Sequence, residues 1–185
     1  MENNVLFSKL ENVAKELGAN NARVIKADLI ELDRVFRDIC ASNSCGVYGK
    51  CWMCPPDVGD IDKLMSDVRS FDYVLVYQQI SDIEDSFDFE GMSEAKRKHY
   101  RLAQSIREAI DPKDFSKILH LGCGGCGVCK VCAKRSGEPC RFPDLAMASL
   151  EAYGIHVSKL AASSGMKYIN GVNTVTYFGA VLFNL

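Results

Sequence analysis

Nine thiols crowd into two short stretches of this 185-residue chain: Cys40, Cys45, Cys51 and Cys54 in CASNSCGVYGKCWMCPP, and a ladder at Cys123, Cys126, Cys129 and Cys132 followed by Cys140. Thiolates gathered in this way bind soft metals, and eight of the nine make two four-thiol sets. In the ladder, Cys126, Cys129 and Cys132 repeat with two residues between them, the run that wraps three thiolates around three corners of a ferredoxin-type iron–sulfur cubane. Cys140 supplies a fourth corner and leaves Cys123 as the spare. Gly122, Gly124, Gly125 and Gly127 let this backbone curl tightly and aim amide N–H groups at sulfur, offsetting its negative charge.

The first set is spaced more widely, with a single CxxC knuckle and Pro55 and Pro56 closing the loop. A zinc ribbon pairs two such knuckles, so spacing favours iron–sulfur over zinc for the ladder and leaves the metal of the first set open. CWMC also has the form of a dithiol redox motif, but that motif opens a helix after a strand and lacks two further cysteines nearby. GCGGCG lacks the spacing and lysine of a phosphate-binding loop. His99, His120 and His156 are isolated and are read as surface or core residues rather than ligands. Trp52 stands beside two ligands, where it either shields a metal centre or simply packs. Lys50, Lys130, Lys134, Arg135 and Arg141 flank the thiols, suited to stabilise an anionic cluster or to dock an acidic partner.

Composition sets the background for this chemistry. With 48% hydrophobic and 25% charged residues the chain can bury a core without covalent staples. A net charge of −2 argues against nucleic acid as the main partner, and the basic run Lys96 to Arg101 reads as a solvated helix face. No window reaches the roughly 18 uninterrupted apolar residues of a membrane span, and MENNVLFSKLENVAKEL has no signal-peptide layout, so the expected location is the cytoplasm. A reducing compartment and an odd cysteine count disfavour a structural disulfide framework.

Elements that position the thiols follow from periodicity. Leu6, Leu10, Val13 and Leu17 predict a helix over about 4–18 stopped by Gly18. Ala22 to Leu32 reads as a strand followed by a short extended or helical piece. The first ligand loop spans 40–56. A helix begins after Asp60, and YVLVYQQI from Tyr73 to Ile80 is a buried strand. An acidic linker, Ser81 to Gly91, precedes a helix capped by Ser93, with Ala95, Tyr100, Ala103, Ile106 and Ile110 on its inner side and its end at Asp111 and Pro112. Lys117 to Leu121 is a strand feeding the second ligand loop, 122–143. Two further helices, Asp144 to Tyr153 and Val157 to Ser164, are stopped by Gly154 and Gly165, and a last strand covers Asn173 to Phe183. The sum is one domain over 1–185, α/β or α+β, a small mixed sheet covered by helices with two cysteine-rich loops at element ends. The loops lie about seventy residues apart in sequence, and any electron relay between them depends on the fold bringing them together.

The loop ending GKCWMCPP, the run CGVCKVCAKRSGEPCRFP and the segment SLEAYGIHVSKLAASSGM resemble the predicted metal-binding, cysteine-rich family known as domain of unknown function 2284, frequent in anaerobic bacteria and archaea. The resemblance runs from about Ala22 onward. It implies Cys40, Cys45, Cys51 and Cys54 as one metal-ligand set and Cys126, Cys129, Cys132 and Cys140 as the other, with Cys123 additional to the pattern. It implies metal binding in an anaerobic setting rather than a particular reaction. The resulting expectation is a protein with two 4Fe-4S clusters that exchanges single electrons with a redox partner protein. Complete four-cysteine coordination leaves no open iron and so favours transfer over catalysis. The competing expectation is a structural or interaction module with two closed four-cysteine zinc sites.

Overall fold

The computed structural model of the protein describes residues 2–185. Five α-helices and four strands alternate along the chain: α1 Glu2–Glu16, β1 Asn21–Lys26, α2 Val35–Ala41, α3 Ile61–Arg69, β2 Tyr73–Asp82, α4 Phe89–Ala109, β3 Lys117–Leu121, α5 Val157–Ser163 and β4 Thr174–Asn184. The strands form one sheet in the order β1-β2-β4-β3. The fold class is the expected one, a small α/β unit whose sheet carries helices. Its strands are antiparallel at all three pairings rather than mixed in direction. The crossover through α4 returns the chain parallel to β2 but one strand position away, and β4 fills that gap running the other way.

The long β2 and β4 strands pair from Tyr73 opposite Phe183 to Asp82 opposite Thr174 and form the middle of the sheet. Covered on both faces, β2 reads as a continuous apolar run, its residues alternating between two cores. Val74 and Val76 point toward Val68 of α3 and Leu160 of α5, with Leu150 and Ile155 between. Leu75 and Tyr77 point the other way, toward Leu10 and Ala14 of α1 and Leu102, Ala103 and Ile106 of α4. No described helix is long and apolar enough to cross a membrane.

Two expected elements are corrected. Helix α4 starts at Phe89 rather than after Ser93, because the Asp88 carboxylate accepts a hydrogen bond from Gly91 N–H at 2.7 Å and caps the helix earlier. The segment Asp144 to Tyr153 is not one α-helix. Its backbone is spent on the continuation of β3, Gly122 N–H donating to Ala148 O at 2.9 Å and Leu150 N–H to Gly122 O at 3.1 Å. Only Glu151–Tyr153 forms a short 3₁₀ turn there. That pairing pins the start of the second cysteine loop to the body of the protein.

Candidate metal centre

The two cysteine loops meet at one end of the sheet. Cys40 lies on the last turn of α2, and the chain then loops through Cys45, Cys51 and Cys54 before α3. The ladder begins where β3 ends. Gly125 is what lets the loops touch, since a Cβ there would stand 3.5 Å from the Cys54 sulfur and 3.8 Å from Val47. Trp52 straps the loops together, its indole N–H donating to Glu138 O at 2.9 Å while Lys134 Nζ sits 4.2 Å above its ring. Lys134 also pairs with Asp57 of the first loop, and Arg141 with Glu138 at 2.8 Å within the second. Of the cations flanking the thiols, these two are therefore committed to joining and bracing the loops.

The thiols are shared out in a way that spacing alone does not show. Cys40, Cys45 and Cys54 line a cavity of about 340 Å³ together with Lys96 and Glu151. Cys126, Cys129, Cys132 and Cys140 line a second, of about 10 Å³, and Cys51 is on its wall with them. Eight cysteines thus fall into groups of three and five rather than four and four. Cys51 sits on the boundary. Its sulfur accepts hydrogen bonds from the Cys54 and Cys132 thiols and from the backbone N–H groups of Met53 and Cys126, and together these pull its pKa down to about 5 against its burial. Cys54, which donates that bond, is pushed up, and burial adds to the shift. The pair shares one proton, with the charge on Cys51. The Cys126 N–H reaching Cys51 is the kind of amide-to-sulfur contact the glycine-rich ladder was expected to provide.

Other groups stand in distinct places. Burial pushes the Cys123 thiol up to about 12, with Lys96 opposing, and Cys123 lines neither cavity. Tyr100 Oη lies 3.5 Å from Cys126 Sγ, a contact not foreseen because Tyr100 was assigned to the inner side of α4. Glu151, on the wall of the larger cavity, also escaped the sequence reading. Burial raises its pKa, with Ser149 and Lys96 opposing. Among the described residues no histidine lines either cavity. His120 faces Arg107 and is pushed down to about 4 by burial, and His156 packs edge-on against Phe36 at 5.3 Å.

The donor set fits a thiophilic metal group. Eight sulfurs lie on two adjoining cavities, and one is already held as thiolate by N–H donors. Among the described residues no three His, Cys, Asp or Glu side chains converge tightly enough to hold one ion.

A family model described as "Predicted metal-binding protein (DUF2284)" matches residues 23–183. No curated protein and no solved structure matches the chain. The chain belongs to this predicted metal-binding family.

Proposed function

We propose that this member of the family holds two iron–sulfur clusters of the 4Fe-4S type and passes single electrons between them and a redox partner protein in anaerobic, cytoplasmic metabolism. The observation that carries the reading is the position of Cys51, whose sulfur touches Cys54 of one thiol group and Cys132 of the other. Clusters bound at the two groups would be near neighbours, as a relay requires. The ladder spacing of Cys126, Cys129 and Cys132 supports a cubane there, and N–H donors to sulfur are a known means of setting cluster potential. Cys40, Cys45 and Cys54 would hold the first cluster, and Cys51, Cys126, Cys129, Cys132 and Cys140 supply the ligands of the second. When bound, such clusters add and release one electron at a time; the chain's part is to hold them, exclude water and present charge.

A zinc reading has one observation in its favour. The ladder cavity, at about 10 Å³, is the size of a single small occupant, so a cubane there requires the second loop to move outward. Anaerobic purification followed by iron, sulfide and zinc analysis separates the two. About eight iron and eight sulfide per chain with dithionite-bleached absorbance support the relay; about two zinc and no sulfide refute it.

A further inference from the structure

The larger cavity is built differently from the ladder. Three of the nine cysteines line it, and Cys51, the residue the spacing offers as a fourth, is only 2% exposed and faces the ladder cavity. Opposite the thiols stands Lys96, which forms no ion pair among the described residues. Its position is set by Gly124, whose φ of +60° turns the chain under it; a Cβ at Gly124 would come 2.7 Å from Lys96 Nζ. Glu151 is the sole carboxylate on the cavity wall, and Phe36, Ile39 and Val47 make much of the rest apolar. An apolar cavity with a few convergent polar groups is the form of a small-molecule site.

We propose that the cluster bound here keeps one iron free of thiolate, and that this iron takes a small carboxylate whose charge is met by Lys96. The inference rests on the iron–sulfur reading above and deepens it for one of the two sites. Three thiolates secure three corners of a cubane, and the fourth iron faces a cavity of about 340 Å³, room for a ligand of several atoms. An exposed iron is a Lewis acid toward oxygen donors. Lys96 supplies a charge-assisted hydrogen bond to the anion. Glu151 lies where it can accept a proton from a ligand group or orient it. The site therefore binds a substrate as well as an electron, a capacity that two fully thiolate-bound clusters lack.

The test uses full-length protein loaded anaerobically. Mild ferricyanide oxidation is expected to release one iron of about eight and give the EPR signal of a 3Fe-4S species, reversed by ferrous iron. Acetate enriched in ¹⁷O is expected to broaden the reduced-cluster signal, and Lys96→Gln to weaken acetate binding about tenfold, the loss of one charge-assisted hydrogen bond. Cys51→Ser is expected to leave the iron release unchanged. The proposal is overturned if the wild-type protein keeps all its iron and Cys51→Ser begins to lose it, since Cys51 is then the fourth ligand. It is also overturned if acetate leaves the signal unchanged. Protein that takes up no sulfide at all refutes the iron–sulfur reading itself, an outcome distinct from these two.

Discussion

Stability should fall steeply with acid through the pH range in which a free histidine takes up its proton, and His99 is a main cause. This residue is fully buried on α4, 5.7 Å from the Tyr77 ring and 5.9 Å from that of Tyr177, and neither ring nitrogen has a hydrogen-bond partner among the described residues. Burial lowers its pKa to about 4, with the nearby Phe178 backbone only partly offsetting it. The unfolded chain binds this proton near pH 6.5, so the folded state is favoured above that value and loses the advantage as pH falls toward 4. The full shift is worth about 3 kcal/mol, of which about 2 kcal/mol is gone at pH 5. His120 is lowered to about 4 as well and adds a loss of the same sign. Urea unfolding of metal-free, reduced protein at pH 8 and pH 5, for wild type and His99→Leu, isolates the term because shared contributions cancel in the difference. The variant should lose about 2 kcal/mol less than wild type across that interval. Equal losses in both proteins would mean that His99 is solvated or hydrogen-bonded in the folded state, and the reasoning fails.

Trp52→Ala removes the indole bond to Glu138 and the Lys134 contact, so the two cysteine loops should part more easily; metal loss to a chelator should be several-fold faster, with global stability lowered by about 1–2 kcal/mol. Gly124→Ala meets both a positive φ and the Lys96 ammonium, and should lower metal content and cost about 1–2 kcal/mol in thermal unfolding. Cys123→Ser should leave metal content unchanged, and Cys123 in the wild type should alkylate slowly at pH 8, because its thiol remains protonated there. Mass spectrometry after brief iodoacetamide treatment reads the second point directly, and rapid labelling of Cys123 would contradict it.

The fold was legible where one physical signal dominated. Strand β3 at Lys117–Leu121 and the apolar run of β2 were predicted at their observed positions, and α1 differs from its predicted bounds by two residues at each end. Sequence periodicity failed where a polar side chain or a distant backbone group decided the matter. Asp88 outcompeted Ser93 as the cap of α4 through a hydrogen bond three residues ahead, and the Gly122 pairing with Ala148 and Leu150 drew a helical-looking segment into extended form. His99 was read as an ordinary isolated histidine, yet it occupies an inner position of α4 one turn before Ala103. The i, i+4 spacing of Ala95, His99 and Ala103 was the available signal.

The candidate site was legible in its residue types and not in its partition. Spacing along the chain divides Cys51 and Cys54 from the ladder because it counts only local neighbours. In CxxC the two sulfurs stand three residues apart on a tight turn, here closed by Cys54 N–H donating to Cys51 O at 3.0 Å, and such a turn can present its sulfurs to different sides. Which side each takes is settled by what packs against the turn. Here that is the second loop, which offers Cys51 the Cys126 N–H and the Cys132 thiol and leaves Cys54 to the open cavity. A thiolate already held by two backbone N–H groups and a thiol gives up those contacts if it swings across to complete the first site. Each such bond is worth about 1.5–3 kcal/mol to a charged acceptor. The asymmetry between one crowded and one open thiol group is therefore built into the packing of the ladder, and it follows from residues about seventy positions away from the motif that it divides.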